Sequence, residues 1–136
     1  MNKEESTDKR PFSAITIVGL GLIGGSLALA LRRSGFNGKI IGVSRQSSLR
    51  EAKRLNAIDE GFSYEDLPSA VRTSDLIVLT SPISTIVEHL KVLGAAEDCL
   101  KKGAIITDVG STKRSILQAG RESLPKHTFF IGGHPL

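Results

Sequence analysis

The sequence of 136 residues contains no tryptophan, one tyrosine and a single cysteine, Cys99. One cysteine cannot form an internal disulfide, which agrees with a reducing compartment, and we interpret its thiol as structural. Aromatic residues make up 4% of the chain and no run of five basic residues occurs. The stacking platforms and basic tracts of nucleic-acid-binding proteins are therefore missing. No apolar run reaches the roughly 18 residues that a membrane span needs. We predict no nucleic-acid partner, no membrane partner and no metal site.

The first residues also lack the apolar segment of a signal peptide. Residues 1–12 are mostly polar and charged, so we expect a flexible N-terminal segment and a cytoplasmic location. Residues 13–136 are expected to form one domain, because the hydrophobic content of 40% is ordinary for a globular protein. The net charge of +4 favours anionic ligands.

The most informative stretch of the chain is a glycine-rich turn between a strand pattern and a helix pattern. Residues 15–18 are apolar and mostly β-branched, and residues 26–33 are rich in Ala and Leu. Gly19, Gly21 and Gly24 between them have the spacing G-x-G-x-x-G. These glycines allow a tight turn, the approach of a pyrophosphate and close helix packing, and the helix start attracts the phosphates. The pattern predicts a dinucleotide site; the alternative is a glycine-rich helix start needed only for packing.

The residues after the second predicted strand, 39–43, bear on the choice of cofactor. An NAD site usually has a carboxylate near this point that binds the ribose hydroxyls. This chain has Ser44-Arg45-Gln46-Ser47-Ser48 there, and its next carboxylate is Glu51. Arg45 can pair with a 2′-phosphate and the serine hydroxyls can donate to it, so NADP is predicted. The alternative is a solvated Arg45 with Ser47 as a helix cap.

Strand and helix patterns alternate along the whole chain. Strands are expected at 75–80, 104–108 and 128–132, and a short strand or turn at 58–62. Helices are expected at 48–55, 65–72 (interrupted near Pro68), 83–93 and 113–123, and a helix or helical turn at 95–102. This alternation predicts an α/β fold with a doubly wound parallel sheet of the Rossmann type. On the fourth helix, His89 falls on the polar side and is predicted to be a surface residue. His127 is expected at the surface, at the opposite end of the sheet from the site.

Ligands of such sheets bind at the carboxyl ends of the strands, where five loops carry unusual residues. The predicted cofactor contacts are Gly19, Leu20, Gly21, Leu22, Ile23, Gly24, Ser44, Arg45, Gln46, Ser47, Thr80, Ser81, Pro82, Ile83 and Val109. His134 follows two glycines after the last strand and can accept a hydrogen bond from a substrate hydroxyl; the alternative is a structural histidine. Ser111 could cap a helix, position substrate, or do both. Asp108 is expected to orient its turn or bind an N–H group.

Four motifs in this order resemble the N-terminal domain of prephenate and arogenate dehydrogenases. They are Val18-Gly19-Leu20-Gly21-Leu22-Ile23-Gly24-Gly25-Ser26, Ser81-Pro82-Ile83, Thr107-Asp108-Val109-Gly110-Ser111-Thr112-Lys113 and Ile131-Gly132-Gly133-His134-Pro135. The resemblance implies oxidative decarboxylation in tyrosine biosynthesis, with hydride leaving a cyclohexadienol ring. His134 matches the histidine that binds the substrate 4-hydroxyl, and Ser111 matches a serine near that hydroxyl. Residues 42–46 look like NADP-using arogenate dehydrogenases.

The chain departs from this family where it ends. Leu136 stands where Met or Ile is common, and the family continues with a helical domain that forms a homodimer and supplies cationic groups for the substrate carboxylates. We therefore expect the 136 residues to bind NADP but to turn over little or no arogenate or prephenate. Two alternatives stay open: an NADP-dependent reductase of another small substrate, such as a β-hydroxy acid or an imine, and a non-catalytic NADP-sensing module.

Overall fold

The computed structural model describes residues 12–110 and 113–133, which contain one six-stranded parallel sheet in the order β3-β2-β1-β4-β5-β6. The strands are β1 (Ala14–Val18), β2 (Lys39–Val43), β3 (Glu60–Phe62), β4 (Leu76–Leu79), β5 (Ile105–Asp108) and β6 (Phe129–Ile131). The helices are α1 (Leu22–Arg33), α2 (Gln46–Arg54), α3 (Leu67–Ala70), α4 (Ile83–Ala95) and α5 (Lys113–Ser123). The predicted fold class is therefore confirmed.

The sheet is buried on both faces because its central strands are almost wholly apolar. Successive residues of a strand point to opposite faces, so Ile17 and Val18 belong to different cores. One core lies under α1 and α2 and includes Ile17 and Ile40. The other lies under α3, α4 and α5 and includes Val18 and Leu90.

Several predicted boundaries were wrong for local physical reasons. α1 begins at Leu22, before the Ala- and Leu-rich stretch 26–33, so Gly24 of the motif lies in its first turn and Gly21 is its N-cap. Pro68 lies in the first turn of α3, where the missing N–H costs nothing, and it does not interrupt a helix. α2 begins two residues early, at Gln46. The segment 95–102, predicted as a helix or a helical turn, is a turn: a short 3₁₀ helix, Glu97–Cys99, follows the end of α4.

The strand order places a crevice at the carboxyl ends of β1 and β4. The chain runs outward from β1 to β3 on one side and from β4 to β6 on the other. Because the connections leave in opposite directions, the loops after these two central strands separate and open a cleft between them. The glycine-rich turn follows β1 and residues 80–82 follow β4, so two of the predicted loops lie at this point. Within the described part of the chain, no helix is both long and apolar enough to cross a membrane.

Candidate nucleotide-binding site

The glycine-rich turn joins β1 to α1 with three glycines in three different environments. Gly19 has a φ of +100°, a left-handed conformation that favours glycine. A Cβ on Gly24 would lie 1.9 Å from the Gly19 carbonyl oxygen, so only glycine lets α1 approach the strand this closely. A Cβ on Gly21 would meet nothing within 4 Å. Gly21 therefore faces open space, which is what a ligand lying against the turn requires.

The start of α1 has the properties of an anion site. Gly21 is its N-cap and has no side-chain cap, and the first turn contains no acidic residue. The first helical hydrogen bond runs from the Gly25 N–H to the Gly21 carbonyl at 2.8 Å, so the N–H groups of Leu22, Ile23 and Gly24 have no partner within the helix. Leu22 is 88% exposed. A phosphate group at this point would meet free donors and the positive end of the helix dipole.

Ser44, at the end of β2, supports this turn from inside. Its hydroxyl oxygen accepts a hydrogen bond from the Leu20 N–H at 3.2 Å, and its side chain is buried. The Ser44 side chain therefore helps to hold the turn, and its donation to a 2′-phosphate stays a prediction.

The next three residues, in contrast, are exposed. Arg45 is the N-cap of α2, and Gln46 and Ser47 form the start of the helix. The alternative in which Ser47 caps the helix was also wrong, since Ser47 lies inside the first turn. Within residues 12–110 and 113–133, no carboxylate forms an ion pair with Arg45. An exposed guanidinium and the positive end of a nine-residue helix therefore coincide at the carboxyl end of β2.

Thr80, after β4, fastens the glycine turn from the other side. Its hydroxyl donates to the Val18 carbonyl at 3.0 Å and also contacts the Gly19 carbonyl. An open cleft of about 470 Å³ lies between this loop, the start of α1 and the end of β5. The cleft is lined by Leu22, Ile23, Thr80, Ser81, Pro82, Ile83, Val109 and Gly110. Seven of these eight residues are among the predicted cofactor contacts; Gly110 is the addition. A second cavity, of about 240 Å³, lies between α1 and α2.

The prediction that His89 lies on the surface was wrong. Only 6% of His89 is exposed, because the 3₁₀ turn Tyr64–Asp66 covers that side of α4. The imidazole stacks on the Tyr64 ring, with centroids 5.3 Å apart and planes 13° apart, and its Nδ1 lies 3.3 Å from the Ser81 hydroxyl. Burial lowers the pKa of His89, and the nearby Glu88 opposes this effect. Tyr64 and His89 are 25 positions apart in the sequence, so the helical periodicity around His89 could not reveal their contact.

Asp108, at the end of β5, is 1% exposed and accepts hydrogen bonds from two loops. Its Oδ2 accepts from the Gly110 N–H at 2.7 Å and its Oδ1 from the Gly133 N–H at 3.2 Å. The predicted role in orienting the turn is confirmed, and the second bond extends it. Ser111 and His134, the predicted catalytic residues, lie outside the described residues.

His127 lies at the opposite end of the sheet, as expected, but it is half-buried. Its Nε2 is 3.0 Å from the Leu100 carbonyl, and its own carbonyl accepts from the Gly103 N–H. This histidine holds the amino ends of β5 and β6 and takes no part in the cleft.

The arrangement matches that of known proteins. A family model described as "Prephenate dehydrogenase, nucleotide-binding domain" matches residues 27–136. Prephenate dehydrogenase of Lactococcus lactis is 37% identical over 123 residues, which is 90% of this chain and 33% of that protein. Cyclohexadienyl dehydrogenase of Zymomonas mobilis is 32% identical over 126 residues, 92% of this chain and 41% of the relative.

Solved structures agree with these matches. The crystal structure of prephenate dehydrogenase from Aquifex aeolicus in complex with hydroxyphenyl propionate and NAD+ superimposes with a TM-score of 0.81 and 37% identity. The match covers 95% of this chain and 43% of that one. The chain thus spans well under half the length of its relatives. The match of the family model across most of the chain shows that it belongs to the prephenate dehydrogenase family, as a nucleotide-binding domain.

Proposed function

We propose that this chain is the cofactor-binding half of an NADP-dependent dehydrogenase that oxidatively decarboxylates arogenate or prephenate. Three of the curated relatives are named prephenate or cyclohexadienyl dehydrogenase, and the Aquifex aeolicus structure contains NAD+ and hydroxyphenyl propionate. When bound, the nicotinamide would supply the hydride acceptor for oxidation of the substrate ring, with loss of carbon dioxide and aromatisation of that ring. The protein has to hold the two reactants in the correct orientation and assist proton transfer.

The glycine turn and the start of α1 would hold the pyrophosphate. The open space at Gly21 and the uncapped N–H groups of residues 22–24 fit a negatively charged group that approaches the backbone. Ser44 and Thr80 hold the turn from its two sides. The turn is therefore preorganised, which reduces the entropy lost when a ligand binds.

The single observation that favours NADP over NAD is Arg45. It is exposed at the N-terminus of α2, and no described carboxylate pairs with it. The first hydrogen bond of α2 runs from the Leu49 N–H to the Arg45 carbonyl, so the N–H groups of residues 46–48 have no partner within the helix. A 2′-phosphate at this end would meet a guanidinium together with these donors. This proposal differs from the NAD+ found in the Aquifex aeolicus protein.

His134 and Ser111 are proposed as the catalytic residues. In the sequence, each follows a glycine whose N–H binds the Asp108 carboxylate at the carboxyl end of the sheet. A neutral imidazole at position 134 would accept a proton from the substrate hydroxyl, and the Ser111 hydroxyl would help to position that group. The substrate carboxylates require further cationic groups, which we expect from a second domain and not from this chain.

The cofactor preference is tested by titrating the chain with NADP+ and with NAD+. We expect NADP+ to bind more tightly. Arg45→Asp should lower NADP+ affinity by about 1–3 kcal/mol, roughly 5- to 150-fold, while NAD+ affinity is kept or improved. Arg50→Asp is the matched control, because Arg50 is also exposed on α2 and the charge change is the same. Equal loss in both variants would mean that only net charge matters, and tighter binding of NAD+ by the unsubstituted chain would refute the preference.

Activity is tested separately. We expect the isolated chain to produce no significant NADPH from arogenate or prephenate, even though it binds the cofactor. Rapid turnover by this chain alone would contradict the proposal that it supplies only the cofactor-binding half.

A further inference from the structure

The Asp108 carboxylate connects two loops that are far apart in sequence. Its two oxygens accept from the N–H groups of Gly110 and Gly133, at 2.7 and 3.2 Å. A buried carboxylate with two charge-assisted bonds is a strong and directional connection. The Thr107 hydroxyl adds a parallel link, donating to the Ile131 carbonyl at 2.6 Å. The ends of β5 and β6 are thus joined by side chains as well as by the sheet.

The two glycines that donate to the carboxylate, Gly110 and Gly133, lie unusually close to Asp108. A Cβ on Gly133 would be 2.6 Å from the Asp108 carbonyl oxygen, and a Cβ on Gly110 would be 3.0 Å from Asp108 Oδ2. A larger residue at position 133 would meet backbone, and one at position 110 would displace the ends of the Ile116 and Asp108 side chains. The glycines therefore belong to the same arrangement as the carboxylate.

The position of this connection within the fold determines which part of a ligand it would affect. In a doubly wound sheet each half binds one mononucleotide, and β1–β3 with Arg45 would take the adenine half. The loops after β4, β5 and β6 would then surround the nicotinamide half. Val109 and Gly110, next to Asp108, line the cleft.

We propose that Asp108 is a positioning residue: it fixes the loops after β5 and β6 against each other beside the nicotinamide half of the ligand. This inference rests on the proposed function. Asp108 need not touch the ligand, since its bonds to Gly110 and Gly133 already hold the two loops at these points.

The test compares Asp108→Asn and Asp108→Ala with the unsubstituted chain. The ligands are NADP+ and adenosine 2′,5′-bisphosphate, which represents the adenine half alone. We expect Asp108→Asn to weaken NADP+ about tenfold while the bisphosphate binds within about twofold of normal. Hydrogen exchange of the backbone N–H groups of Gly110 and Gly133 gives a direct measurement. The asparagine side chain keeps one acceptor oxygen, so one of these two N–H groups should exchange faster in Asp108→Asn. Both should exchange faster in Asp108→Ala.

Asp75→Asn is the matched control. Asp75 Oδ2 also accepts two backbone N–H bonds, from Ser13 and Ala14 at 2.7 and 3.2 Å, but it lies before β4, at the other end of the sheet. This variant should lose stability without changing the ratio of the two affinities. Equal weakening of both ligands in Asp108→Asn, or an unchanged ratio with unchanged glycine exchange, would overturn the inference. Failure of the unsubstituted chain to bind either ligand would instead refute the proposed function, and the positioning role with it.

Discussion

Gly24→Ala is the sharpest perturbation of the candidate site, because the atom it adds would meet backbone. The new Cβ would lie 1.9 Å from the Gly19 carbonyl oxygen and 2.6 Å from Thr80 Oγ1, whereas an ordinary contact begins near 3.4 Å. α1 and the turn would have to separate by about 1.5 Å, the difference between these distances. Overpacking of this kind costs about 1–3 kcal/mol or more, which lowers Tm by roughly 4 °C per kcal/mol in a domain of this size.

The two neighbouring glycines supply controls for this experiment. A Cβ on Gly25 would have its nearest neighbour at 3.9 Å, so Gly25→Ala should stabilise α1 by about 0.5–1 kcal/mol. Gly21→Ala should leave Tm unchanged or slightly higher, because Gly21 has an ordinary φ of −77° and open surroundings. If that open space is where the pyrophosphate lies, Gly21→Ala should nevertheless weaken NADP+ strongly.

Thermal unfolding and NADP+ titration of the three variants therefore separate packing from ligand contact. Gly24→Ala should lose both stability and binding, and Gly21→Ala binding only, whereas Gly25→Ala should gain stability and lose little binding. A Gly24→Ala protein with an unchanged Tm would refute the close approach of α1 to Gly19. A Gly21→Ala protein with undiminished NADP+ affinity would mean that the ligand does not pass over this turn.

Three further predictions concern the residues that support the site. Ser44→Ala removes the acceptor of the Leu20 N–H and should lower the free energy of unfolding in urea by about 1–3 kcal/mol. A negligible change would mean that water replaces the hydroxyl as the acceptor. Thr80→Val keeps the shape but leaves the Val18 carbonyl without this donor, so NADP+ affinity and Tm should fall together. Burial lowers the pKa of His89 from 6.5, so the unfolded chain binds that proton more readily and stability should decrease as the pH falls below about 6.5. Urea midpoints of His89→Gln between about pH 5 and 7 should show a weaker dependence; an unchanged slope would contradict this origin.

The fold could be predicted from the sequence because its signals are local. The apolar runs of the strands, the spacing of Gly19, Gly21 and Gly24, and the alternation with helices each occupy a short window. The boundaries that were wrong share one cause: a local pattern does not show what packs next to it. Helix α1 can begin among glycines only because Gly24 packs against Gly19. His89 is buried only because Tyr64 packs over it.

The candidate site was predictable in its list of residues but not in their roles. The sequence places Ser44 beside Arg45 and gives both a polar side chain suited to a phosphate. The structure separates them: Ser44 points inward to the Leu20 N–H and Arg45 points to solvent. Side chains alternate along a strand and its extension, so adjacent residues at a strand end serve opposite purposes. Only the observed register shows which residue faces the ligand.

The separate roles of Ser44 and Arg45 determine how the site could change its cofactor. The bonds that hold its loops join residues 24, 61 and 25 positions apart: Leu20 to Ser44, Gly19 to Thr80, and Asp108 to Gly133. None of these bonds involves the exposed residues at the start of α2. The bonds that hold the loops and the residue that selects the cofactor should therefore act independently. Replacing Arg45 should change the preference between NADP+ and NAD+ at constant stability. Replacing Ser44 should lower stability and the affinity for both cofactors in parallel. A Ser44 variant that altered the preference, or an Arg45 variant that unfolded the turn, would show that the two are coupled.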